Sequence, residues 1–599
     1  MERKLFQRGK LGGIVQNRIS KYIESYGIGK TLGIIYQKLT IENKKRYDLW
    51  RKNHEMSEEV LEKQRNHKFV WEPKFSIVVP LYKTNERYLQ ELIDSVRKQT
   101  YSNWELCLSD GSGKNSPLKQ MLCEFEKMDK RIHVTDKECQ MQISQNTNEG
   151  IAIASGDYIV FADHDDLLAP NALYECAAVF EQYPEIEMIY SDEDKISMDG
   201  QQLFEPHFKP DYNPDLLCSV NYFCHLVVVS KRLMERVKGL DPQFNGAQDY
   251  DFVLRCTENT GNIYHIPDIL YHWRAHMDST AENPESKRYA FEAGKRAVQA
   301  HYERIGRKNA IVEETENPGL YRTRYQIKEE PKVSVIIEYR ESKEKLERCI
   351  KSIELSNWEN YEILVAANLE EDTKIDGLKA YLEALKEEGR IEVIYNSADK
   401  TEAEIRNKTA KETAGSYLLY LYGDAELEDG DSILELTGIC MRKEVACVGA
   451  KICFSKNLVE HAGVVLGLED AAGYAFYGVL DGDHNYFSRM NTQMEYSAVA
   501  GAGIMVKKSV LEELGGFDEK FTGALGMIDF CLRAGESGKL SVYTPYARIY
   551  HEKKEKNPEK TEKEYFKLRW DKKIKNGDPN YNKNLSLKTS DFRIRIEKS

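Results

Sequence analysis

From Phe75 onward the chain alternates short, continuously apolar runs with longer stretches whose apolar residues fall three and four apart. Phe75-Ser76-Ile77-Val78-Val79-Pro80 predicts a buried strand, and Glu86 to Gln99 follows with Leu89, Leu92, Ile93 and Val96 on one helical face. Glu105-Leu106-Cys107-Leu108 predicts a second strand, which runs into Ser109-Asp110-Gly111-Ser112. A helix, a short strand at Ile132-His133-Val134 and a helix around Asn148 to Ala154 lead to a further strand, Tyr158-Ile159-Val160-Phe161-Ala162. Strands alternating with helices predict an α/β fold with a mostly parallel sheet. The same order then recurs. Lys74-Phe75-Ser76-Ile77-Val78-Val79 is answered by Lys332-Val333-Ser334-Val335-Ile336-Ile337, the stretch from Ser155 by the one from Ala414, and Asp249-Tyr250-Asp251-Phe252 by Met527-Ile528-Asp529-Phe530. A repeat of some 250 residues is too long for a solenoid and predicts two similar domains in tandem.

The strand at Tyr158 ends in Asp163-His164-Asp165-Asp166. Three carboxylates within four residues repel one another unless a cation or hydrogen-bond donors sit among them. At the carboxyl end of a strand in an open α/β sheet, such a stretch marks a binding crevice. Asp110 stands at the tip of another strand, and Asp249 opens a run that reads as a helix start, as an N-cap or as a functional carboxylate. His272, in Tyr271-His272-Trp273-Arg274, could complete a site for a hard divalent cation with the acidic stretch.

Composition narrows the classes. Lys and Arg number 85 against 98 Asp and Glu, a net charge of −13, which argues against a nucleic-acid partner. The 12 cysteines show no C-x-x-C pair, as expected for reduced thiols in a cytoplasm, and no apolar run is long enough to span a bilayer. Residues 1–40 depart from the rest: Arg3, Lys4, Arg8, Lys10, Arg18, Lys21, Lys30 and Lys38 face Glu2 and Glu24 alone, with apolar residues interleaved at helical spacing. That pattern suits peripheral contact with an anionic membrane surface, and equally a partner-binding helix.

The combination of Ser76-Ile77-Val78-Val79-Pro80, Asp110-Gly111-Ser112, Asn148-Glu149-Gly150, Asp163-His164-Asp165-Asp166, Gln248-Asp249 and Tyr271-His272-Trp273-Arg274 resembles the family-2 inverting glycosyltransferases of the GT-A fold. It is similar in particular to two-domain bacterial rhamnosyltransferases of surface-polysaccharide assembly. The resemblance implies two tandem GT-A domains, Rossmann-like with mostly parallel sheets. It implies transfer of a sugar, rhamnose among the candidates, from a nucleoside-diphosphate sugar to a lipid-linked or polymeric glycan acceptor, with Mg²⁺ or Mn²⁺. On that basis Asp249 would be the general base, Asp165 and His272 the metal ligands. Pro80, Tyr82, Asp110, Asn148, Asp163, His164, Trp273 and Arg274 would contact the nucleotide sugar. The expected division is a basic helical segment and connector at 1–70, a catalytic domain at 71–315, a linker at 316–331, a second domain at 332–558 and an extension at 559–599. The expected location is the cytoplasm, at the inner face of the cell membrane where such acceptors sit.

The second domain lacks much of this set. Ala367 stands for Asp110, Tyr422-Gly423-Asp424-Ala425 for the acidic stretch, Met527 for Asp249 and Glu338 for Pro80, whereas Asp529 and His551 match Asp251 and His272. The expectation is a degenerate domain that binds glycan or positions the first. The rivals are a second active site around Asp424, Asp529 and His551, with His461 as its base, and a non-catalytic glycan-binding scaffold built of two relic domains.

Overall fold

The computed structural model describes residues 41–275, 288–339, 342–368, 377–397, 399–454, 457–482, 486–552 and 558–596. The basic segment 1–40 lies outside them. The chain forms two compact units, one holding Tyr47–Thr323 and the other Arg324–Ile596. No helix among the described residues is long and apolar enough to cross a membrane.

The first unit takes in helix α1 (Ile41–His54) from Tyr47 onward and centres on a nine-stranded sheet. Its strands are β1 (Phe75–Leu81), β2 (Trp104–Asp110), β3 (Ile132–Asp136), β4 (Tyr158–Phe161), β5 (Leu167–Leu168), β6 (Met188–Ile196), β7 (Leu203–His207), β8 (Val227–Ser230) and β9 (Ile263–Arg274). They run in the order β3-β2-β1-β4-β8-β6-β9-β5, with β7 paired to β6. The first four are parallel, as the helix–strand alternation predicts. Beyond them β8 runs antiparallel to β4 and β6, so the sheet is mixed, and the parallel expectation holds for its first half. Helices α2 (Glu86–Arg97), α3 (Ile143–Ala152) and α4 (Gln248–Asn259) connect or flank these strands. Asn85 caps α2 by accepting from Arg87 N–H, and the predicted stripe Leu89, Leu92, Ile93 and Val96 is fully buried in one core with Phe75, Ile77 and Val79 of β1. Each such side chain contributes about 1.5–3 kcal/mol on burial.

The second unit repeats this plan in a ten-stranded sheet, with parallel strands Glu392–Asn396, Tyr361–Asn368, Val333–Glu338 and Tyr417–Tyr422 in that order. Residues 316–331, expected as a bare linker, contain strand Tyr321–Tyr325, paired with Ala310–Glu314. The C-terminal extension is a helix, Lys560–Asn576, and a tail held down where Asp578 accepts from Leu466 N–H and the Ser497 hydroxyl.

Each sheet is locked at the start of its central strands by the same device. In the first unit the Ser76 hydroxyl donates to Glu105 and accepts from Gly156 N–H, while Lys74 pairs with Glu105. In the second, Ser334 donates to Glu362 and accepts from Gly415 N–H, and Lys332 pairs with Glu362. Burial would raise the Glu105 pKa, but these donors outweigh it and bring it down to about 2. A Cβ at Gly156 would stand 2.6 Å from the Lys74 carbonyl oxygen and 2.7 Å from Ser76 Oγ. Gly156→Ala is therefore expected to destabilise the first unit by about 1–3 kcal/mol, read as a lower denaturation midpoint; an unchanged midpoint would show that the close approach does not constrain the chain.

Candidate functional site

The carboxyl ends of β1, β2 and β4 lie side by side, Leu81 pairing with Asp110 and Val78 with Phe161. Asp110 is 1% exposed. Its Oδ1 accepts from Ser112 N–H, closing the turn, and its Oδ2 has no hydrogen-bond partner among the described residues. A buried carboxylate oxygen left without a donor costs free energy, and a bound donor group would remove that cost. His164 Nδ1, Asn221 Oδ1 and His225 Nδ1 are likewise buried without a hydrogen-bond partner.

The three acids of the crowded loop are dealt with separately. Asp166 is fully buried, accepts from Arg274 N–H (2.6 Å) and the Tyr271 hydroxyl (2.7 Å), and has its pKa pushed well up by burial and by Asp163 and Asp165. Tyr271 in turn accepts from Asp163 N–H at 3.0 Å. Asp163 faces His225, whose Nε2 lies 3.6 Å from its Oδ2. Enclosure raises the Asp163 pKa, His225 opposes the rise, and Asp165 and Asp249 add to it. Because 51% of its side-chain surface stays open, water screens much of that effect.

His225 was missed from the sequence, where it is a lone histidine before a strand. Register reveals it: Phe161 of β4 pairs antiparallel with Val227 of β8, so the residues two beyond and two before meet. Its backbone N–H donates to Glu193 and its carbonyl accepts from the fully buried Lys209 at 2.7 Å, while its ring stacks on Tyr271.

Asp249 lies in the first turn of α4, where the helix dipole favours an anion. It is not the cap: Ala247 holds that position, and Asp249 Oδ2 accepts from the Asn221 amide at 2.9 Å. Asp249, Asp163, His225 and Pro80 share one cavity with apolar walls including Val78, Phe161 and Phe252. At about 60 Å³ it has room for about two waters, too little for a nucleotide. Asp110, His164, Asp165 and His272 are not part of that wall.

His272 sits directly across from Asp194 on parallel strands β6 and β9, with Nδ1 2.5 Å from Asp194 Oδ1. Its Nε2 has no hydrogen-bond partner among the described residues, and Asp165, whose side chain is 21% exposed, precedes the β5 segment that pairs with it. An imidazole nitrogen and a carboxylate are donors of the type a divalent cation takes. Among the described residues, the group of metal-ligand type whose donor atoms all fall within 4.8 Å is a different one, Asp163, Asp166 and His225. There both oxygens of Asp166 are already hydrogen-bonded to the chain.

Two of the expected nucleotide contacts, Arg274 and Asn148, are engaged within the protein. Arg274, 1% exposed, donates to the Asp165 carbonyl and to Glu91 (2.7 Å), so its guanidinium braces the acidic loop from within. Asn148 donates to Leu240 O and accepts from Leu240 N–H, so its amide holds a loop against α3. Trp273 is partly buried beneath Lys195, and Tyr82 is 42% exposed beside the strand ends.

The family model described as "Glycosyl transferase family 2" matches residues 76–225 and again 334–485, together half of the chain. The chain belongs to glycosyl transferase family 2. Among its relatives are an uncharacterized protein, y4gI, of Sinorhizobium fredii (36% identical, over 87% of this chain and 58% of that protein) and the O-antigen biosynthesis protein RfbC of Myxococcus xanthus (32%, over 87% and 41%). The chain thus spans about half the length of these curated relatives. Among solved structures, Staphylococcus aureus TarS 1–349 in complex with UDP-GlcNAc is 17% identical, with a TM-score of 0.30, over 38% of this chain and 73% of that one.

This family member keeps its braces in both units and its open acids in one. Asn407 pairs with the Phe517 backbone as Asn148 does with Leu240. Arg533 ties Asp529 to the Leu514 and Gly516 carbonyls, as Arg255 ties Asp251 to those of Val237 and Gly239. At the strand ends the second unit differs. Ala367 and Met527 are buried apolar replacements, and Glu338 forms a buried ion pair with Arg406, 1% exposed. His461 is fully buried between the Ala450 carbonyl and Ala500 N–H, with its pKa lowered to about 4 by burial, which removes it as a surface base. His551 is held by Asp424 (3.2 Å) on one nitrogen and Glu460 (3.0 Å) on the other. Burial would lower its pKa, but the two carboxylates outweigh this and raise it to about 9. A raised folded-state pKa means that the stabilisation is complete below about pH 6.5 and lost as pH rises through about 9, a span worth on the order of 3 kcal/mol. Unfolding of the second unit is expected to move to lower temperature between those pH values; a midpoint as high at pH 9.5 as at pH 6.5 would show that His551 carries no such charge.

Proposed function

We propose that the Tyr47–Thr323 unit transfers a sugar from a nucleoside-diphosphate sugar to a hydroxyl of a lipid-linked or polymeric glycan, with inversion, and that the second unit is non-catalytic. The observation that carries this reading is Asp249: it is held by Asn221, free of any capping duty, in a water-poor cavity that it shares with Asp163 and Pro80. In this role Asp249 accepts the proton of the acceptor hydroxyl. A carboxylate is a weak base for an alcohol, so the proton moves late, and the larger contribution is in-line placement of acceptor and donor. Asp110 offers its unpartnered oxygen to a donor group of the nucleobase or ribose, and Asp163 accepts from a ribose hydroxyl. Asp165 and His272 would hold Mg²⁺ or Mn²⁺, which offsets the charge that builds on the departing diphosphate. The resemblance favours rhamnose as the sugar and residues 1–40 as the peripheral membrane contact, at the cytoplasmic face.

In the second unit Met527 stands in place of the base, and Asp424 and Glu460 flank His551 on its two nitrogens and raise its pKa to about 9, which favours a proton there over a cation. Incubation with a panel of nucleotide sugars, Mn²⁺ and glycan acceptor should release nucleoside diphosphate. Asp249→Asn should lower kcat by about 10²–10⁴ while donor binding persists, and Met527→Ala, which truncates a buried side chain and so lowers stability, should leave turnover per folded molecule within about twofold of the parent. Turnover undiminished in Asp249→Asn would remove the base assignment, and its loss in Met527→Ala would reinstate a second site.

A further inference from the structure

Helix α1 precedes the matched family region, in the stretch expected to be a connector. Its contacts with the first unit are specific. Tyr47 and Trp50 are 2% and 5% exposed. Trp50 packs on Phe208, with ring centroids 5.0 Å apart, and stacks on His54 at 4.2 Å. That anchors the helix independently of any polar contact. The Tyr47 hydroxyl donates to Asp194 Oδ2, while Asp194 Oδ1 stands 2.5 Å from His272 Nδ1. Asp194 is fully buried, and each of its oxygens therefore has a partner.

The chemistry of this chain of contacts is one-directional. Burial, with Asp194 beside it, drives the Tyr47 pKa far up, so its hydroxyl remains a donor. An ionised carboxylate only accepts, so His272 must carry its proton on Nδ1, and the lone pair then lies on Nε2. Nε2 is the nitrogen without a protein partner. The matching histidine of the second unit shows the alternative: His551 lies between two carboxylates, Glu460 at Nδ1 and Asp424 at Nε2, so neither nitrogen faces an open site. A tyrosine hydroxyl satisfies the second oxygen of Asp194 without adding a charge, and leaves the imidazole oriented by Asp194 Oδ1.

We infer that Tyr47 is a positioning residue of the transferase site: acting through Asp194, it fixes the tautomer and orientation in which His272 presents Nε2 to a divalent cation. This rests on the proposed reading of His272 as a metal ligand, and it makes α1 a part of the working unit.

The test is Mn²⁺ binding to the full chain without donor or acceptor, followed by the electron paramagnetic resonance of free Mn²⁺. Partners that orient a ligating histidine typically alter affinity by about 10–100-fold; Tyr47→Phe should thus weaken binding by about tenfold and Asp194→Asn by more, with circular dichroism unchanged. Equal affinity in Tyr47→Phe and the parent overturns this inference and leaves the metal assignment standing. A parent chain that binds no Mn²⁺ overturns both. Should the variants fail to fold, ¹⁵N-histidine resonances of the parent decide: a proton on Nδ1 of His272, identified by its loss in His272→Gln, supports the inference, and a proton on Nε2 overturns it.

Discussion

Three carboxylates within four residues cannot share one loop as equal anions, and the first unit depends on how that conflict is resolved. Asp166 is withdrawn into the core, where Arg274 N–H and the Tyr271 hydroxyl bind it and burial favours its protonated form. The Arg274 side chain ties the Asp165 carbonyl to Glu91 from behind. Tyr271 also holds the backbone of Asp163, and His225 faces its carboxylate. One acid is thus structural, and the other two project from a braced loop at a strand end, where an α/β sheet places its ligands.

The two units separate scaffold from chemistry. Ser76–Glu105–Gly156, Asn148–Leu240 and Asp251–Arg255 have close counterparts in Ser334–Glu362–Gly415, Asn407–Phe517 and Asp529–Arg533. The differences fall where the first unit leaves polar groups open. Arg406 with Glu338, and His551 with Asp424 and Glu460, are ion pairs closed within the protein. Buried charges must be paired or removed. At these strand ends the second unit sets its charges against one another within the protein.

Much of this was legible in one dimension. The strand and helix alternation, the repeat and the acidic stretch after Tyr158 follow from local periodicity and spacing, and the structure shows them at the expected places. Asp110 and Asp249 stood out as isolated acids at element ends, and both have side chains not consumed by capping or salt bridges. Arg274 and Asn148 read as contacts for a nucleotide because a polar side chain near a motif looks the same whether it faces outward or inward.

The chain's own order of residues determined the α/β architecture, its duplication and the carboxylates that could meet a sugar nucleotide, because each of these is written in neighbours along the backbone. Tertiary structure alone decided that His225 joins Asp163, that Arg274 turns inward and that Tyr47 reaches Asp194 across 147 positions. Those meetings are set by antiparallel register and by the seat of one helix on a sheet, and register between distant strands leaves no local pattern to read.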